Sequence, residues 1–114
     1  MQIAEVRQDG VDVIAPVGRI DTTTVGALEA RLAPLLAAAS PRVVVDFSGV
    51  DYISSAGLRV LLVAARRVQS ATGGRLALCG LGESVRQVFQ LAGFLPLFTI
   101  RANREAAVAQ IAAP

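Results

Sequence analysis

Two short runs of predominantly apolar positions open the chain, Ile3 to Gln8 and Val11 to Val17, joined at Asp9-Gly10. An Asp-Gly pair between such runs favours a tight hairpin turn, so the pattern predicts two antiparallel strands. Pro16, near the end of the second run, predicts an edge or a bulge there. A helical period follows. Val25, Leu28, Leu32, Leu35 and Leu36 share one face, and Asp21 or Thr22 is placed to cap the exposed N–H groups. Pro34 falls inside this pattern and is expected to kink or thin the last turn, with the helix ending by Ser40-Pro41.

Val43-Val44-Val45-Asp46-Phe47 is β-branched and continuously apolar up to Asp46, the mark of a strand buried on both faces. After a turn at Ser48-Gly49 a short stretch reaches Ile53, and a second helix begins near Ser54-Ser55. Arg75 to Cys79 reads as a strand, and Gly80-Leu81-Gly82 leads from it into a helix. That helix has Val85, Val88, Phe89 and Ala92 on its inner face and Gly93 closing it. Leu97 to Ile100 is a last strand, and Asn103 caps a last helix that uses Val108 and Ile111. The order predicts an α/β fold: an opening hairpin, then alternating helix and strand. About five strands form a mixed sheet packed by about four helices, in one domain over residues 1–114.

Composition narrows the function classes. The 114 residues suit a single core, and 54% hydrophobic against 18% charged residues excludes a disordered chain. The formal net charge is only +2, and every basic residue is Arg, scattered except for Arg66-Arg67. A nucleic-acid surface needs a concentrated basic patch, so no nucleic-acid partner is expected. The single cysteine, Cys79, closes no internal disulfide and is a core residue by position. Charge-free runs such as Leu32 to Pro41 are too short to span a bilayer, and the N-terminus lacks the layout of a signal peptide. A cytoplasmic protein without membrane insertion, cofactor or metal is expected.

The absence of His excludes Ser–His and Cys–His nucleophile pairs and His-ligated metal sites. No P-loop is present, and Gly80-Leu81-Gly82 lacks the third glycine of a dinucleotide fingerprint. Asp21 and Asp46 share a site only if their strands are neighbours, and capping already accounts for the first. No enzyme is expected.

Attention therefore falls on Tyr52-Ile53-Ser54-Ser55-Ala56-Gly57-Leu58, a strand-to-helix junction. Two readings are compatible there. A Ser hydroxyl caps the helix. Equally, a phosphate on such a Ser is held by free N–H groups and the helix dipole, while its charge alters any surface that a partner covers. Gly57 leaves room for a partner's backbone or a nucleotide. Along the following helix, Leu58, Leu61, Leu62 and Ala65 fall on one side; Arg59, Val63, Arg66 and Arg67 fall on the other, with Val60 beside them. That second face is either an ordinary solvated one or a docking face adjoining Ser55.

From Val43 to Leu62, through Val50-Asp51-Tyr52-Ile53-Ser54-Ser55-Ala56-Gly57-Leu58-Arg59, the sequence resembles the STAS domain family, specifically its stand-alone anti-sigma factor antagonists. Val17-Gly18-Arg19-Ile20-Asp21 and the segment from Gly80 to Phe94 extend the resemblance over nearly the whole chain. The resemblance implies a serine at the start of the second helix that an anti-sigma factor, itself a serine kinase, phosphorylates. The unmodified antagonist binds that factor and frees the sigma factor; phosphorylation releases it, and a serine phosphatase resets it. The family pattern is Asp-Ser-Ser/Thr-Gly-Leu. Here Ser54 replaces the Asp, Ser55 takes the modified position and Ala56 the next, leaving Ser54 as a second acceptor. The implied partner face comprises Asp21, Asp46, Ser54, Ala56, Gly57, Arg59, Val60, Val63, Arg66 and Arg67. The same fold also serves in small-ligand or nucleotide sensors and as an accessory subunit of membrane transport ATPases, which would use a pocket near Asp21, Asp46 and Ser55.

Overall fold

The hairpin forms where the Asp-Gly pair predicts it. In the computed structural model, which describes residues 1–113, β1 (Gln2–Gln8) and β2 (Val11–Ile20) pair antiparallel in unbroken register from Gln2↔Val17 to Gln8↔Val11. Asp9 and Gly10 both take positive φ, 53° and 77°, the geometry that matches the twist of the flanking strands. β2 is interior rather than an edge. Asp12 to Ile14 pair with β3 (Arg42–Asp46), and Gly18 to Ile20 pair with β4 (Val50–Ile53), with the register shift between Gly18 and Arg19. Pro16 falls between these two parallel partners, where a missing N–H costs no ladder bond.

The remaining elements alternate: α1 (Val25–Leu36), then β3, β4, α2 (Ser55–Ser70), β5 (Arg75–Cys79), α3 (Glu83–Leu91), a short 3₁₀ turn (Leu95–Leu97), β6 (Thr99–Arg101) and α4 (Arg104–Ala112). The main sheet runs β1-β2-β3-β5-β6, and β4 adds a sixth strand on the far half of β2. The expected five strands thus omitted β4, whose four residues are too few to show a period. The last strand also starts two residues later than predicted, because Pro96 draws Leu95–Leu97 into the 3₁₀ turn.

Alternation along β3 splits the interior. Val43, Val45 and Phe47 face α1, α2 and α3 in the larger core with Ile14, Leu28, Leu61 and Phe89. Val44 faces the other way, joining Val11, Val13, Ala77 and Cys79 beneath Ala107, Val108 and Ile111 of α4. Pro34 lies within α1, which continues to Leu36; Ala92, expected on the inner face of α3, is exposed at its C-cap. No helix of the described residues is long and apolar enough to cross a membrane.

Candidate functional site

The junction between β4 and α2 divides two tasks between adjacent serines. Ser54 is the N-cap: its backbone is extended, its Oγ accepts from the Gly57 N–H at 3.3 Å, and its carbonyl accepts from the Leu58 N–H. Its own N–H donates to the Ile20 carbonyl at 2.8 Å, stitching the junction to the end of β2. Ser55 is the first helical residue. It is exposed, and its hydroxyl has no hydrogen-bond partner among the described residues. Because Ser54 already performs the capping, the Ser55 hydroxyl is left for chemistry at a helix N-terminus.

Gly57 has a different role from the one its sequence context suggests. It is buried, and a Cβ there would lie 2.7 Å from both Ile20 and Ile53 side chains. The glycine lets α2 sit down on the ends of β2 and β4. It leaves no opening for a partner or a nucleotide. Ala56 is half-buried beside it.

Asp21 follows Ile20 directly, so the Ile20–Ser54 hydrogen bond brings Asp21 and Ser55 to adjoining chain segments. Its Oδ1 accepts from the Thr23 hydroxyl at 2.6 Å and the Thr23 N–H at 2.9 Å. These bonds, the Thr23 hydroxyl foremost, hold the carboxyl below the usual carboxylate range, with Arg19 adding to them. The N-cap position of α1 belongs to Thr24 rather than Asp21 or Thr22, and its hydroxyl is committed to the Arg19 carbonyl at 2.7 Å. Sequence reasoning placed Arg19 and Tyr52 in separate motifs and did not join them. They pair across β2 and β4, with the guanidinium 4.1 Å from the ring centroid and Nε 3.7 Å from Asp21 Oδ2. The missing signal was the parallel pairing of β4 with the end of β2, which sets Arg19 beside Tyr52.

Asp46 does not share this site. Its place in β3 turns it to the α4 face, where Oδ2 takes Arg104 at 2.9 and 3.0 Å and Oδ1 accepts from the Ser48 N–H. Burial pushes this carboxyl up, but the Ser48 and Arg104 bonds outweigh it and hold the group below its ordinary range. Burial foremost, with the Asp46 carboxylate adding to it, pushes the Cys79 thiol up to about 12, away from the reactive thiolate. A combined pocket of Asp21, Asp46 and Ser55 is therefore not formed.

On α2, Leu58, Leu61, Ala64, Ala65 and Val68 are buried, and Leu62 is only half-buried. Arg59, Arg66 and Arg67 are exposed, Val63 is 48% exposed, and Val60 is half-buried. Val60 and Val63 border a shallow groove between α1 and α2, with Leu32 and Leu36 opposite and Glu29 and Arg67 at its rim. An exposed Val63 and a half-buried Val60 among arginines, one to two turns from an unengaged serine, form a surface suited to protein contact.

Comparison with known proteins agrees with this geometry. The family described as the STAS domain matches residues 2–107. A protein named as an anti-sigma factor antagonist, BtrV of Bordetella bronchiseptica, is 39% identical over 109 residues, covering 96% of this chain and 93% of its own. RsfB of Mycobacterium tuberculosis, named an anti-sigma-F factor antagonist, is 30% identical over 93 residues, 81% of this chain and 74% of its own. The crystal structure of an anti-sigma factor antagonist from Mycobacterium paratuberculosis superposes with a TM-score of 0.89 at 25% identity, covering 98% of this chain and 94% of that one.

Proposed function

The chain belongs to the STAS domain family, and from that premise we propose that it is a cytoplasmic anti-sigma factor antagonist switched at Ser55. The unmodified protein captures an anti-sigma factor, a serine kinase, through the exposed face of α2 and so frees a sigma factor. Phosphorylation of Ser55 by that kinase ends the capture, and a serine phosphatase restores it.

The observation that carries this reading is the division of labour between the serines. Ser54 caps α2, so Ser55 can be modified without uncapping the helix, and the N–H groups of Ser55 and Ala56 are positioned to hold the phosphate. The folded domain therefore tolerates the modification. A partner seated over Arg59, Val60 and Val63 does not, because an added dianion at a desolvated contact is costly unless it is paired. The ionised Asp21 carboxylate next door deepens the negative charge.

The test is capture of the cognate kinase by wild type, Ser55→Ala and Ser55→Asp, with phosphopeptide mass spectrometry after kinase treatment. Ser55→Ala should bind constitutively. Ser55→Asp should lose about a hundredfold in affinity, near 2.7 kcal/mol, with an unchanged melting profile. Phosphate found only on Ser54 would move the switch by one residue, and full affinity of Ser55→Asp would remove it.

A further inference from the structure

The two edges of the sheet are built differently. One ends in β6, only three residues long and so a poor template for any added strand. The other ends in β1, seven residues in unbroken register with β2, with no proline and no bulge, and among the described residues no further strand pairs with its outer side. Six of its seven residues are exposed, Ile3 being the exception. A long, regular edge of this kind presents unpaired N–H and C=O groups to a further strand.

Which groups they are follows from the hairpin. Gln8 and Val11 flank a two-residue turn and so form a hydrogen-bonded pair, and the pattern alternates from there. Gln8, Val6, Ala4 and Gln2 therefore spend their backbone groups on β2, while Arg7, Glu5 and Ile3 direct theirs outward. The outward-bonding residues thus include one acid and one base, two positions apart. Their side chains share the sheet face of α1, where Glu5 meets Arg31 at 3.1 Å and Arg7 meets Asp12 at 3.0 Å. Both pairs are solvent-accessible and open to exchange. Val6, 45% exposed, projects from the opposite face.

We propose that the β1 edge is a docking surface for a second copy of this chain, joining two sheets antiparallel about Val6. In that register Glu5 lies opposite Arg7 of the second copy, and Arg7 opposite its Glu5, both as hydrogen-bonded pairs. Val6 meets its symmetry mate in the closer, non-hydrogen-bonded pair on the other face. The neighbouring allowed registers are worse: one sets Glu5 against Glu5, the other Arg7 against Arg7. Opposite charges directly across an antiparallel pair are favourable and like charges unfavourable, so the sequence Ala4-Glu5-Val6-Arg7 selects one register. The contact lies at the strand edge and leaves Ser55 and the exposed face of α2 available to a different partner.

Sedimentation equilibrium of the full chain at near-millimolar concentration should show a monomer–dimer equilibrium. Glu5→Arg and Arg7→Glu should each weaken it about tenfold by setting like charges opposite one another, and the double exchange should restore it. Circular dichroism confirms that each variant is folded. Register is tested independently by oxidative cross-linking. Val6→Cys should link to itself, since non-hydrogen-bonded pairs bring Cα atoms to about 4.5 Å, within disulfide range. Ala4→Cys should not, because the two copies of that position would stand about 14 Å apart along the strands. A monomer at every concentration, a dimer indifferent to the charge exchanges, or equal cross-linking of both cysteines would each overturn the proposal.

Discussion

Gly57 and Asp46 show how one residue can be chosen for the fold at a position that reads as functional. The larger residue that Gly57 excludes would strike Ile20 and Ile53, both buried core side chains with little freedom to withdraw. Gly57→Ala should therefore destabilise the domain by about 2 kcal/mol, by overpacking, although alanine is the better helix former. A chemical denaturation midpoint at or above that of wild type would show that α2 can lift off the strands freely. Asp46 is anchored by Ser48 and Arg104, and its folded-state carboxyl titrates lower than in the unfolded chain. Its contribution is thus complete above the unfolded value near 4 and is lost as pH falls through the lower folded value. Arg104 is one-third exposed, so screening trims the pair, and Asp46→Asn should cost about 1 kcal/mol at neutral pH. The difference between wild type and Asp46→Asn should then shrink on acidification; a constant difference down to pH 2 would contradict the assignment. An apolar-to-polar pattern locates a junction, but it does not say which face of the sheet Asp46 takes, nor how closely α2 sits on the strands at Gly57.

At the scale of elements, long periodic segments were legible and short ones were not. The inward stripe of α2 and the β-branched run of β3 were readable because burial sets their periods. β4 was legible only as the short stretch leading to a strand-to-helix junction, because four residues bracketed by a turn and a helix cap carry no period; its pairing with β2, which joins Arg19 to Tyr52, was not legible. The outward face of α2 needed both sources. The 3.6-residue repeat sorted Arg59, Val63, Arg66 and Arg67 from the core, and the structure added the α1–α2 groove that Val60 and Val63 border. If that face receives the anti-sigma factor, Val63→Asp combined with charge reversal at Arg66 and Arg67 should abolish capture. Stability should move by no more than about 0.5 kcal/mol, the usual range for exposed helix positions. Truncating an interface anchor commonly costs above about 1 kcal/mol of binding, and three coordinated changes should exceed that. Wild-type affinity of the triple variant in titration calorimetry would move the contact elsewhere.

Across the whole molecule, the sheet separates the proposed docking face from a face that closes the smaller core. α2, with Ser55 at its start and the α1–α2 groove along its side, lies on the larger core; α4 closes the smaller core on the opposite face, tied to β3 by Arg104 and Asp46. A strand layer about one residue thick lies between them, and its side chains alternate without crossing. Damage to the α4 core should therefore lower stability while leaving the docking face intact in every molecule that remains folded. Val108 is 2% exposed and packs on Val11, Val13 and Val44 within that smaller core. Val108→Ala removes two methyl-sized groups and leaves a cavity, so a loss of about 2 kcal/mol is expected. A domain of 114 residues unfolds as one cooperative unit, so this loss should appear as a lower denaturation midpoint with an unchanged slope. Affinity for the anti-sigma factor, measured well below the melting temperature, should stay within about twofold of wild type, the mirror image of the α2 triple variant. Should Val108→Ala weaken capture tenfold while its near-ultraviolet dichroism stays native, the two faces are energetically coupled through β3, and the sheet transmits the state of one to the other.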